Sequence, residues 1–254
     1  MKTKNTVYCA TRNPYPTWLK YANERDHLEL WFRNNINFLC PEQFTSILDV
    51  GSGLGEATAR LIKVLNESEK DYRITAIEPV SSQARYCRQR FSDNPKINIK
   101  ENTLEQYNCL EVDLVLAVHP LYYVPNITKA VAKLASLGSR ILIVHHGSKG
   151  INIVHQAFRH LVKKGPHIIS TYHDIERELE RLGMNYKTEC LETIVDIRTT
   201  HNPENLDGRD LIRFFLEQPK LSEETYGKIS HFLRGLGDYL IHDIGIITIY
   251  RDIS

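Results

Sequence analysis

Ile47-Leu48-Asp49-Val50-Gly51-Ser52-Gly53-Leu54-Gly55 is the stretch that decides the fold. A short apolar run of strand character enters a turn in which three residues lack a Cβ. Glycine takes positive φ without cost and lets a backbone approach a ligand closely. The helix that follows, Ala57 to Leu65, places Leu61, Ile62 and Leu65 on one face, and its amino terminus offers free N–H groups to a ligand. Gly51, Gly53 and Gly55 are therefore candidate ligand contacts. A dinucleotide site in this register needs a further glycine at position 56, where Glu56 stands, so a pyrophosphate at the helix start would meet a carboxylate. The spacing suits a ligand without phosphates.

Outward from this turn, β-branched runs alternate with helical stretches, the pattern of a parallel sheet covered by helices. Strands are expected at Ser46–Val50, Arg73–Glu78, Ile97–Glu101, Val112–Val118 and Arg140–His146, with Val112–Val118 apolar enough for a central strand. Glu78 ends the second of them. A carboxylate there accepts hydrogen bonds from both hydroxyls of a ribose, so the site reads as nucleoside-binding. Asn102 and Thr103 follow the third strand, where they either reach an adenine amino group or only turn the chain.

After His146 helices are expected over about Asn152–Lys164, ended by Gly165-Pro166, and over about His173–Leu182, started by Ser170-Thr171 and stopped by Gly183. Strands Tyr186–Ile197 and Ile244–Tyr250 follow, with a helical insertion between them from Gly208 to Tyr239. The opening segment, with Trp18, Tyr21, Leu28, Trp31 and Phe32, reads as an amphipathic helix packed on the sheet.

The chain has 254 residues, enough for one α/β domain with an insertion, and its 32 basic against 31 acidic residues leave a net charge of +1. No global field draws it to nucleic acid or to an anionic membrane. Cys9, Cys40, Cys87, Cys109 and Cys190 are odd in number and form no CxxC pair, so neither a disulfide framework nor a zinc knuckle is expected. The opening Met1 to Tyr8 is polar and no run approaches about 20 apolar residues, so neither a signal peptide nor a membrane span is expected. A soluble, cytoplasmic protein, monomeric or weakly dimeric, is the expectation.

Asp49-Val50-Gly51-Ser52-Gly53-Leu54-Gly55, then Glu78, then Asp113-Leu114-Val115-Leu116 in this order resemble the class I S-adenosylmethionine-dependent methyltransferases. A narrower set is similar to the histamine N-methyltransferases: Ile77-Glu78-Pro79 with Gln83, Val118-His119-Pro120-Leu121-Tyr122-Tyr123-Val124, Gly147-Ser148-Lys149-Gly150 and Leu182-Gly183-Met184-Asn185-Tyr186. The resemblance runs from about residue 15 to 252. It implies a single Rossmann-like α/β domain over 1–254, a seven-stranded sheet with the last strand antiparallel, and a helical substrate lid from about 15–40 and 198–242. It also implies S-adenosylmethionine as cofactor, S-adenosylhomocysteine as product, and cofactor contacts at Gly51, Glu78, Gln83, Thr103 and Val118. The family holds its amine with a glutamate, a glutamine and an asparagine. The matching positions here are Asp26, His119 and His242, all three different, which leaves amine methylation open and puts histamine itself in doubt.

Methyl transfer from a sulfonium is an in-line displacement, so the protein must align a nucleophile and exclude water. A protonated amine must first lose a proton, which a carboxylate or an imidazole accepts. His119, at the carboxyl end of the fourth strand, and Asp26 are the candidate catalytic and acceptor-binding groups, with Glu24 the alternative to Asp26 by a register slip. Pro120 is expected to keep the chain extended beyond His119. Tyr122 and Tyr123 either wall the acceptor or fill the lid, and His242 with Asp243 leads into the last strand. His145, His146, His155, His160, His167 and His173 lack the spacing of a metal motif; no metal is expected and they read as surface residues. The readings that remain are a small-molecule methyltransferase acting on an amine, an RNA or protein methyltransferase, and an inactive cofactor-binding module.

Overall fold

The computed structural model describes residues 7, 12–108, 111–162 and 167–250. Its centre is a seven-stranded sheet in the order β3-β2-β1-β4-β5-β7-β6. The strands are β1 (Phe44–Val50), β2 (Asp71–Ile77), β3 (Ile97–Lys100), β4 (Val112–Val118), β5 (Gly138–His146), β6 (Tyr186–Asp196) and β7 (Tyr239–Tyr250). All neighbours pair in parallel except β7, which runs antiparallel to both β5 and β6. The order reverses between β1 and β4, the switch point at which open α/β sheets bind ligands.

Alternation along β4 shows how the sheet is buried. Leu114 and Leu116 face a layer made with Leu61 and Leu65 of α4 (Glu56–Glu67) and with Leu28 and Phe32 of α2 (Glu24–Asn34). Val115 and Ala117 face the other layer, with Val131 and Leu134 of α6 (Ile127–Leu137) and Ile175 and Leu179 of α9 (Tyr172–Arg181). Successive strand residues point to opposite faces, so a fully apolar strand is what two covered faces require.

A third apolar cluster lies apart from these two layers. Trp18 of α1 (Tyr15–Tyr21) packs there with Phe214 and Phe215 of α10 (Leu206–Leu216) and with Ile229 and Leu233 of α11 (Glu223–Gly235). The expected insertion is thus two helices, the second capped by the Ser222 side chain.

Three expectations change in detail. The opening segment is not one helix: it breaks at Ala22-Asn23, where Asn23 Oδ1 accepts the Ile194 N–H at 2.7 Å and the Asn23 N–H donates to the Ile194 carbonyl at 3.1 Å. These bonds tie the chain to β6 and stop α1. β7 begins at Tyr239 rather than Ile244, so His242 and Asp243 lie within a strand. The helix expected over Asn152–Lys164 is divided into α7 (Ile151–Ala157) and α8 (Arg159–Val162), and its expected Gly165-Pro166 stop lies outside the described residues, as do Cys9 and Cys109. The remaining helices are the short α3 (Ile36–Leu39) and α5 (Ser81–Arg90). Among the described residues no helix is long and apolar enough to cross a membrane.

Candidate functional site

One cleft runs along the carboxyl ends of β1, β2 and β4 and continues beneath α1 and α10. At its first end the three glycines have three different duties. Gly51 (φ +70°) lies so close to Pro120 that an added Cβ would stand 2.6 Å from the proline Cβ. Gly53 (φ +57°) leaves room for Gln83, whose Oε1 would be 3.2 Å from such an atom. Gly55 (φ +78°) caps α4 and seats the Phe91 ring, at 2.6 Å from the same construction. Gly51 and Gly53 line the cleft, whereas Gly55 serves helix packing.

Glu78 sits one residue beyond β2 and lines the cleft. Its Oε2 accepts the Gly53 N–H at 2.9 Å and its Oε1 the Val80 N–H at 2.8 Å, so the turn and the carboxylate hold each other in place. Burial raises its pKa to about 7 against those two bonds. Each carboxylate oxygen keeps a lone pair for a ribose hydroxyl. Gln83, Asn102, Thr103 and Val118 line the same end. Glu56 lines it too and is paired with Arg90.

His119 departs from the expected extended backbone. Its φ is +63°, in the left-handed region, and Pro120 (φ −82°, ψ −19°) opens a 3-10 turn over Leu121–Tyr123. A non-glycine residue is held there only by its surroundings. The His119 N–H donates to the Val144 carbonyl at 2.9 Å, and the ring is pinned at both nitrogens: Nε2 lies 3.0 Å from Glu24 Oε1 and Nδ1 lies 3.2 Å from the Tyr122 hydroxyl.

Asp26 does not reach the cleft. Its side chain is 71% exposed and pairs with Arg60 at 2.9 Å. Glu24 takes the inward place at 1% exposure. Because α2 starts only after the Asn23 anchor, and two residues are about 200° apart around a helix, turning Glu24 inward turns Asp26 out. Burial acts to raise the Glu24 carboxyl, but His119 and Arg25, whose Nη1 lies 3.1 Å from Oε1, hold it well below the ordinary range. Burial pushes His119 below its ordinary value, opposed by Glu24.

The histidines expected at the surface divide. His160 and His173 are exposed, but His145, His146, His155 and His167 are buried, and the last three line the cleft. Burial lowers all four pKa values, that of His155 to about 4, so they stand as neutral imidazoles. The His146 ring packs at a tilt against Tyr122 at 4.7 Å and His119 at 4.5 Å. Donor atoms of Glu24, His119 and His146 lie within 4.8 Å of one another, a spread that can hold a metal ion; the Arg25 guanidinium lies against Glu24 Oε1, while Oε2 has no hydrogen-bond partner.

His242 is fully buried behind this group, its Nε2 3.4 Å from Glu24 Oε2 and its ring edge-on to Trp18 at 5.7 Å. Asp243 accepts the Lys149 N–H at 2.7 Å and braces the loop after β5. Tyr122 and Tyr123 both line the cleft. Tyr15, Trp18, Phe214 and Glu217 also line the cleft; they fall within the segments expected to form the lid, but no individual signal marked them as site residues.

Residues 47–138 match the family of the methyltransferase domain. No curated protein sequence matches the chain. Among solved structures the chain is similar to the YcgJ protein of Bacillus subtilis, with 13% identity, 89% of this chain and 99% of that chain covered, and a TM-score of 0.62. It is also similar to the plantazolicin methyltransferase BpumL in complex with S-adenosylhomocysteine, at 18% identity, 95% and 86% coverage and a TM-score of 0.53. A mycolic acid cyclopropane synthase, likewise complexed with S-adenosylhomocysteine, aligns at 13% identity, 82% and 78% coverage and a TM-score of 0.53. These likenesses show the fold, and the sequence match falls on the strands that build the glycine turn, Glu78 and His119. The chain therefore carries an S-adenosylmethionine-dependent methyltransferase domain.

Proposed function

We propose that the protein transfers a methyl group from S-adenosylmethionine to a nitrogen of a small amine acceptor, with Gly51, Gly53, Glu78, Gln83, Asn102, Thr103 and Val118 holding the cofactor. The observation that carries the reading is the contact of His119 with the buried Glu24 at 3.0 Å, in a cleft continuous with the glycine turn. The cofactor supplies an electrophilic methyl on a sulfonium. The acceptor amine loses a proton through the Tyr122 hydroxyl, which hands its own proton to Nδ1 of the neutral His119; Glu24, bound at Nε2, stabilises the resulting imidazolium, and the freed lone pair enters in line with the methyl carbon. The carbon–sulfur bond breaks with its electrons moving to sulfur, giving S-adenosylhomocysteine. Glu24, held ionised, orients the imidazole rather than serving as the base.

Enclosure supports a small acceptor over a polymer: Tyr15, Trp18 and Phe214 line the cleft, and α1, α10 and α11 form the apolar cluster that would act as the lid. The narrower likeness to histamine N-methyltransferases fares differently position by position. Glu24 supplies a glutamate where Asp26 was expected, and His119 and His242 remain departures. The test is transfer of labelled methyl from S-adenosylmethionine to a panel of small amines, together with calorimetry of S-adenosylhomocysteine. Absence of binding overturns the cofactor assignment; binding with transfer only to alcohols, thiols or a polymer overturns the amine.

A further inference from the structure

The cleft has a second acidic end. Glu217 follows the last residue of α10 with φ +54°, a left-handed position where helices usually place glycine or asparagine. A glutamate at such a position is a local cost that the helix itself does not require. Its side chain is only 8% exposed and lines the cleft. The Tyr123 hydroxyl donates to it, and His167 Nδ1 stands 3.8 Å from Oε1. Neither a lysine nor an arginine pairs with it among the described residues. Glu217 Oε2, both ring nitrogens of His167 and Nε2 of His155 are buried without a hydrogen-bond partner, and the His155 and His167 rings are 4.8 Å apart.

Buried polar atoms are ordinarily satisfied, so a group of four left open around one cleft implies an occupant that satisfies them. Burial with no cation beside it raises the Glu217 carboxyl to about 8, and an ammonium placed there would restore its charge. The neutral imidazoles accept further N–H bonds from the same group. The Tyr122 ring touches both clusters, lying nearly parallel to His119 at 5.9 Å and to His167 at 5.0 Å. The two acidic groups thus stand at separate stations along one aromatic wall.

We propose that Glu217, with His167 and His155, binds a second, cationic nitrogen of the acceptor, so that the substrate class is the small dibasic amine: one nitrogen is methylated at His119 and Glu24 while the other is held at Glu217. This rests on the amine reading of the site and narrows it.

The experiment titrates the S-adenosylhomocysteine complex calorimetrically with diaminoalkanes of three to six carbons and with bis(aminomethyl)benzene, each against its matched monoamine. At least one diamine is expected to bind about ten-fold more tightly than its monoamine. In Glu217→Gln that ratio is expected to fall to about one, with S-adenosylhomocysteine affinity showing that the variant is folded; His167→Ala repeats the comparison from the neighbouring side chain. Monoamines and diamines binding equally would overturn the second station alone. A diamine preference that survives both substitutions would do the same. If no amine of either kind binds while S-adenosylhomocysteine does, the amine reading falls with it.

Discussion

His119 Nε2 and Glu24 Oε1 stand 3.0 Å apart although 95 residues separate them in the chain. One comes from the end of the central strand and the other from the first turn of α2. That contact couples the cofactor half of the protein to its amino-terminal helices, and in the proposed reaction it gives the two groups unequal roles, the imidazole as proton acceptor and the carboxylate as its anchor.

Replacing His119 by alanine is expected to lower kcat by about 10² to 10⁴, the usual yield of a positioned general base, with S-adenosylhomocysteine binding retained. The rate requires the neutral imidazole, so it rises with pH through the His119 pKa, and because burial lowers that value the rise falls below the ordinary histidine value of 6.5. Glu24 opposes the lowering. In Glu24→Gln the rise should therefore move to still lower pH while kcat drops. A rise that stays in place in Glu24→Gln would contradict the pairing.

Asp26→Asn should leave turnover within about two-fold of the parent. Its exposed pair with Arg60 is worth no more than about 1 kcal/mol, so denaturant midpoints should move little. A hundred-fold loss of turnover in Asp26→Asn, with Glu24→Gln active, would reverse the assignment of the inward carboxylate.

Glu78 raised to about 7 makes cofactor affinity pH-dependent. The ionised carboxylate is the better acceptor for ribose hydroxyls, so S-adenosylhomocysteine should bind more tightly at pH 8 than at pH 6. The same shift has the opposite sign for stability: between about 4.5 and 7 the folded state holds the proton that the unfolded state has lost, so this group's contribution falls as pH rises. Glu78→Gln is expected to weaken binding at least ten-fold, an order of magnitude for lost charge-assisted bonds, and to flatten its pH dependence. Affinity independent of pH in the parent protein would argue against ribose contact.

Gly55→Ala should destabilise the fold by about 1 to 3 kcal/mol, through its positive φ and the collision with Phe91. Pairing it with Phe91→Ala should give a double-mutant cycle with measurable coupling, read by urea unfolding. Additive losses would show that the glycine is needed for its backbone conformation alone.

The parallel strands and the glycine turn were legible because their signals are local: β-branched runs set β4, and three missing Cβ atoms set the turn. Glu78 and His119 were legible for a related reason, as both sit at strand ends on the switch side. Glu24 was not, because the choice between it and Asp26 depends on where α2 starts, and that is fixed by Asn23 bonding to Ile194 in β6, 171 residues away. The buried histidines were hidden likewise. His155 and His167 carry no local signal of burial; they are enclosed by α10, whose position comes from packing Trp18 against Phe214 at 5.0 Å. Glu217 gave no local signal either, since its burial depends on where α10 ends within the expected insertion.

The left-handed backbone at His119 limits what that position can become. Asparagine and aspartate are, after glycine, the residues that tolerate it best, and either is reached from histidine by a single base change in the codon. Such a step would keep the turn into Pro120 while exchanging a titrating ring for an amide or a fixed charge. The proposed proton acceptor thus sits at a position whose backbone, rather than its side chain, is what the fold holds fixed.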